Sequence, residues 1–205
     1  MFGVRFNAAS RQALARASTP ASGSGPEAIW HELYDTQTYV DNTTTRLQFF
    51  QVTNVDQTIT NMPAAGQLPD PQYFSVYQIC VDYLTQNTVG AAASVVGELN
   101  DIKLLMMVGR PVWTLTISDK RYGPYSLSVL HGTGAPVGGV DAGTAVEIHQ
   151  WGSAPLNAGW NYQGSIIIPP KVNFGIEVVW AGAQNTTANV NLRVALFGIL
   201  SRRVL

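Results

Sequence analysis

The residues of this chain that could do chemistry are few and scattered: three histidines, one cysteine and a glycine-rich loop. His31-Glu32 opens like the zinc-protease helix H-E-x-x-H, but Asp35 stands where the second histidine belongs, so the motif fails. Glu147 and His149 share one face of a strand at i, i+2, a spacing that suits a metal pair. No second histidine or carboxylate cluster completes that set, and a hydrogen-bonded surface pair is the simpler reading. His131 opens the loop Gly132–Gly143, yet no G-x-S-x-G elbow accompanies it and no residue is marked as a nucleophile. The loop itself begins Gly132-x-Gly134, but Val137 takes the third glycine position of a dinucleotide fingerprint and no phosphate-loop lysine follows. Cys80 sits inside an apolar strand, where a buried inert thiol is expected rather than a nucleophile. Asp141 and Glu147 could approach as a glycosidase-type pair, although thirteen acids in one fold make some such pair a matter of chance. The expectation is a protein without enzymatic chemistry, with no cofactor, no metal and no small-molecule substrate.

The elements that would position any working residues are predominantly β. Tyr73–Leu84 has the clearest period of two: Tyr73, Ser75, Tyr77, Ile79, Val81 and Tyr83 alternate with Phe74, Val76, Gln78, Cys80, Asp82 and Leu84. Both sets are largely apolar, so this strand is expected to be buried or nearly buried on both faces. It is fed by a long loop, Thr58–Gln72, in which Pro63, Pro69 and Pro71 remove backbone donors and Gly66 permits a turn. Other strands are expected at Thr45–Val52, Lys103–Val108, Val112–Ser118, Tyr125–Leu130, Thr144–Trp151, Gly164–Ile168, Phe174–Trp180 and Asn189–Leu200. Asp119–Pro124 reads as a turn, Asn87–Ile102 as the one interior stretch that permits a short helix, and Gly132–Gly143 as a surface loop. Eight to ten strands without long helices make an all-β fold, a two-sheet antiparallel β-sandwich of jelly-roll type. An immunoglobulin-like sandwich fits less well, since a cysteine pair is missing and the loops are long.

Composition says how such a sandwich lives. Only 12% of the 205 residues are charged, against about 25% in an ordinary soluble domain. Apolar residues stand at 46%, so Thr, Asn, Gln, Ser and Gly replace the missing charge. Interface cores are depleted of charge, and extensive contact with other copies is the natural consequence. Net charge is −1, which excludes nucleic-acid binding by bulk electrostatics. The distribution is uneven: residues 1–26 carry Arg5, Arg11 and Arg16 and no acid, whereas the rest is net acidic. Asn7–Ala17 could form a short helix, and Ser18–Pro26 is small, polar and breaker-rich, which predicts a flexible tether. The chain therefore divides into a basic flexible N-terminal arm, 1–26, and a sandwich domain, 27–205. No apolar run reaches the roughly 18 residues of a membrane helix, and the arginines interrupt any signal-peptide core. The sequons at Asn42 and Asn185 are expected by chance in so Asn- and Thr-rich a chain.

The order of elements resembles that of the single jelly-roll coat proteins of tailless icosahedral bacteriophages. The resemblance is carried by TRLQFFQ at Thr45–Gln51, TNMPAAGQLPDPQYF at Thr60–Phe74, GRPVWTLTISDKRYG at Gly109–Gly123, IIIPPKVNFGIEV at Ile166–Val178 and the closing LFGILSRRVL. It spans most of residues 45–205, and the first 40 have no counterpart. It implies a virion shell subunit that forms a capsomer with its own copies and with other capsid proteins. Arg5, Arg11 and Arg16 would then face inward, toward packaged nucleic acid or an internal membrane, or bind a neighbouring subunit. Pro63, Gln67, Pro69, Pro71 and Gln72 in one loop, with Gly132, Gly134, Gly138 and Gly139 in the other, are the expected inter-subunit contacts. The alternative is a carbohydrate- or receptor-binding sandwich of adhesin or spike type, with aromatic residues on an exposed face. A weaker third reading is an enzyme on the same scaffold with Glu147 and His149 as metal ligands.

Overall fold

The computed structural model describes residues 26–51, 56–84, 101–130, 136–137, 150–151 and 160–203. In chain order the strands are β1 (Pro26–Tyr39), β2 (Arg46–Phe49), β3 (Tyr73–Leu84), β4 (Val112–Ile117), β5 (Lys120–Ser126), β6 (Pro136–Val137), β7 (Gln150–Trp151), β8 (Trp160–Ile168), β9 (Phe174–Val179) and β10 (Val190–Arg203). Two four-stranded sheets result, ordered β1-β10-β3-β8 and β2-β9-β4-β5, with β6 and β7 as a separate short hairpin. Every described pairing between strands is antiparallel. The chain is an all-β sandwich.

The inner faces of the two sheets supply one core. Leu33, Phe74, Val76, Ile79, Val81, Leu192, Val194 and Leu196 come from the first sheet. Phe49, Trp113, Leu115, Ile117, Phe174, Ile176 and Val178 come from the second. β9 shows the alternation plainly: Phe174, Ile176 and Val178 are buried while Gly175, Glu177 and Val179 are half-buried on the other side. That polar-out, apolar-in period is what a sheet with one covered face requires.

Three local expectations are corrected. Leu104–Val108 is a π-helical turn, not a strand, and the two residues described ahead of Lys103, Asp101 and Ile102, are helical as well. Leu and Met are unbranched and lose little rotamer freedom in a helix. A strand buried on both faces would also hide all five residues. Here Leu105 and Met106 are buried, whereas Met107 and Val108 are 66% and 55% exposed. The turn is closed by Gly109 N–H donating to Leu104 C=O at 2.9 Å, and Trp180 Nε1–H donates to Leu105 C=O at 2.9 Å. Second, of the residues expected as a turn after β4 only Asp119 turns; Lys120–Pro124 are strand, running on through Tyr125 and Ser126 as β5, and Leu127–Leu130 is a 3-10 turn instead of a strand. The reversal is made at Ser118 (φ 55°), and Pro124 is tolerated because β5 is the edge of its sheet.

The third correction concerns β3. Its alternation is not strict, because a bulge at Tyr77 shifts the register against both β10 and β8. Phe74 and Val76 face the core before the bulge, and Ile79 and Val81 after it. One extra residue moves every following side chain to the opposite face. The expectation of burial on both faces holds for most of the strand, since Phe74, Ser75, Val76, Ile79, Cys80 and Val81 are all buried. The helix expected at Asn7–Ala17 and all of the arm except Pro26, which opens β1, lie outside the described residues, as do most of Asn87–Ile102 and Thr144–Trp151.

Candidate assembly surface

The loop between β2 and β3 is held to the core at two apolar pins, Met62 and Leu68, both buried. Between them Gly66 adopts φ 57°, and a Cβ there would lie 2.8 Å from the Phe174 carbonyl oxygen and 3.1 Å from that of Phe50. Only glycine lets the chain pass so close with that dihedral. Phe174 N–H donates to Gly66 C=O at 2.8 Å and Lys171 N–H to Leu68 C=O at 2.9 Å. The Lys171 ammonium meets the Asp70 carboxylate at 3.0 Å, and the Gln67 amide donates to Asn173. The loop is therefore stitched along the β8–β9 connection.

Of the residues expected to contact other subunits, Pro63, Pro69 and Pro71 are exposed, while Gln67 and Gln72 are half-buried. Gln72 N–H closes a turn onto Pro69 C=O at 2.8 Å. The prolines thus form a pre-ordered outward ridge that would lose little entropy on docking. Gly132, Gly134, Gly138 and Gly139 lie outside the described residues. So do Arg5, Arg11 and Arg16, along with His131, Asp141, Glu147 and His149.

The ridge adjoins a feature that sequence reading missed. An open groove of ≈ 370 Å³ crosses the outer face of the second sheet, lined among others by Arg46, Gln48, Gln51, Thr116, Arg121 and Glu177. Arg46 Nε meets Glu177 Oε1 at 2.6 Å. Gly175 forms the floor, with the Gln51 amide lying where a Cβ would stand, 2.2 Å away. Asn173, which accepts from Gln67, is at the rim. Its one aromatic lining residue, Phe174, is buried and faces the core, so the groove offers no ring for a sugar to stack on. The signal lay in the polar half of the alternation of β2, β4 and β9, which reads as mere surface until the sheet order brings those halves side by side.

The first sheet presents a different outer face. Trp30 on β1 is 63% exposed and stacks on Tyr77 at 6.2 Å between ring centroids. Across the sheet the register runs Trp30, Ile199, Ser75, Ile167. Tyr73 and Ile167 add exposed apolar surface. Further along, Cys80 is buried, and burial with the nearby Asp82 and Glu32 charges pushes its thiol up to about 12, which keeps it protonated.

Among the described residues, no group of three metal-ligating side chains comes together, and no helix is long and apolar enough to cross a membrane. No protein-family model, curated protein or solved structure matches this chain.

Proposed function

We propose that this chain is a jelly-roll coat subunit, a structural rather than catalytic protein that assembles with its own copies into an icosahedral virion shell. The observation that carries the reading is the nesting of the strand pairs. With the short β6–β7 hairpin set aside, first pairs with last (β1·β10), second with second-last (β2·β9), third with third-last (β3·β8), and the middle two with each other (β4·β5). A long antiparallel ribbon wound about a common core has this order, and it makes two Greek-key sheets, the architecture of shell and lectin jelly rolls. Fold alone does not assign function. The coat reading is favoured over a soluble lectin by the low charge of the chain and by the pinned proline ridge. On this reading the arm with Arg5, Arg11 and Arg16 faces inward to packaged nucleic acid, internal membrane or a neighbouring subunit, and the Gly132–Gly143 loop joins the ridge at subunit contacts.

One observation favours a second reading, a glycan-binding sandwich of adhesin type: the exposed, stacked Trp30–Tyr77 pair with Tyr73 on the same sheet. Light scattering coupled to size exclusion, with negative-stain imaging of the same fractions, separates the two. Closed particles or rings are expected. A monomer at every concentration, together with saturable binding on a glycan array, would replace the coat reading with the second one.

A further inference from the structure

Each sheet of an open sandwich ends in strands whose outer backbone groups have no neighbour, and such edges are normally guarded. Three of the four edges here carry a recognisable guard or limit. β5 holds Pro124 with Lys120 and Arg121, β2 is four residues long, and β8 runs out into Pro169-Pro170. β1 is different, because it is fourteen residues long and, among the described residues, only its middle is covered. There Asn61 imitates a paired strand. Tyr34 N–H donates to Asn61 Oδ1 at 2.9 Å, Asn61 N–H to Tyr34 C=O at 3.3 Å, and Asn61 Nδ2 to Glu32 C=O at 2.6 Å. Thr60 forms a bridge with Asp35 beyond it.

These bonds show which backbone groups turn outward. In an antiparallel strand alternate residues direct both N–H and C=O to the same side. Since Tyr34 and Glu32 use the open side, the N–H and C=O groups of Ala28 and Trp30 turn to it too. They have no partner among the described residues.

We propose that this uncovered stretch, Ala28–Trp30, is a self-pairing edge that joins β1 of one copy to β1 of a second copy, antiparallel about Ile29. It rests on the self-association proposed above. Ala28 of one copy would face Trp30 of the other, exchanging both main-chain bonds, and the same pair repeats by symmetry. The two sheets become one sheet of eight strands. Three features of the stretch fit a second copy of itself. The pairing places a small side chain, Ala28, beside a large exposed one, Trp30, on the same face. No unpaired carboxylate or ammonium interrupts it, for Glu27 is held by Arg202 at 2.6 Å, so two copies meet without like-charge repulsion. Pro26, lacking an N–H, and the Asn61 clamp bound the window on its two sides, which sets the register.

The test uses the full chain with Ala28→Pro, which removes an outward N–H that the β1·β10 ladder does not use, and Trp30→Lys as a second variant. Sedimentation, negative-stain imaging and thermal melting are read together. Ala28→Pro is expected to keep the wild-type melting temperature and Trp30→Lys to lower it only by the loss of the Tyr77 stack, while both weaken self-association at least about tenfold in dissociation constant. Wild-type particles that form unchanged in both variants would overturn the edge and leave the shell reading standing. A two-fold pair that is lost in the variants, with no particles in the wild type, would uphold the edge and overturn the shell. A wild-type monomer at all concentrations would overturn both.

Discussion

Asp35 is the carboxylate on which the junction between the sheets depends, and its removal has a cost that can be worked from its partners. It is buried at 1% exposure and accepts from Phe50 N–H at 2.6 Å, Thr36 N–H at 3.0 Å and Gln37 Nε2 at 3.1 Å. Phe50 is buried and has φ 67°, a left-handed conformation that a bulky residue holds only when its surroundings require it. Asp35→Ala strands the buried Phe50 N–H, a loss of about 1–3 kcal/mol, while Thr36 and Gln37 can turn to water. A total of about 2–3 kcal/mol is expected in urea denaturation followed by tryptophan fluorescence. Asp35→Asn should not rescue it, because an amide in that place sets its NH2 against either Phe50 N–H or Thr36 N–H.

The pH dependence gives a second readout of the same site. Burial raises the Asp35 carboxyl above its ordinary value, and the bonds from Phe50, Gln37, Thr36 and Thr60 only partly offset this. A raised acid binds its proton more tightly in the folded state. Its contribution to stability is therefore full below the unfolded value of about 3.9 and is lost as pH rises through the folded value. Asp35→Asn should remove that downward slope between acid and neutral pH. A cost under about 0.5 kcal/mol for Asp35→Ala, or a wild-type slope retained in Asp35→Asn, would refute the argument.

Other expectations are more local. Burial, reinforced by Arg202, lowers the His31 pKa. The folded state therefore binds this proton less readily, and stability present above about pH 6.5 should fall as pH drops toward the folded value; His31→Gln should flatten that limb in denaturant titrations at stepped pH. Gly198→Ala would place a Cβ 2.0 Å from the Ser75 carbonyl oxygen, whereas a Cβ on Gly182 meets nothing within 4 Å. Thermal melting should separate them, with a loss above about 3 kcal/mol for the first and a change within about 0.5 kcal/mol for the second. Asp101 is buried and accepts from Thr187 N–H at 2.8 Å and Thr187 Oγ1–H at 2.6 Å. Asp101→Ala should cost about 1–3 kcal/mol and speed hydrogen exchange at Thr187, and no change at that amide would dismiss the anchor.

The sequence by itself determined the fold class and most of the strands, although β1 at Pro26–Tyr39, one of the two longest, was not among those it marked. Period-two alternation at Tyr73–Leu84 and Val112–Ser118, apolar content with little charge, and prolines bounding a loop are local signals that need no partner to be read. It also determined that Cys80 is a buried thiol, because the residue lies inside a strand expected to be covered on both faces. Tertiary structure decided the rest. Leu104–Val108 is short and apolar, so either a strand or a helical turn satisfies its pattern, and only the Trp180 bond and the Leu105 packing choose the turn. The phase of β3 reverses at Tyr77 because two neighbouring strands, distant in sequence, impose a bulge that no residue at that position announces. The polar groove exists only because β2, β9 and β4 lie side by side, an order set by which apolar faces close the core. Asp35 reads as an ordinary surface acid in a run of Thr and Gln. It is buried because Phe50, fifteen residues later, must bring a lone N–H to the same place, and a charge–partner relation of that kind is a property of the assembled sandwich.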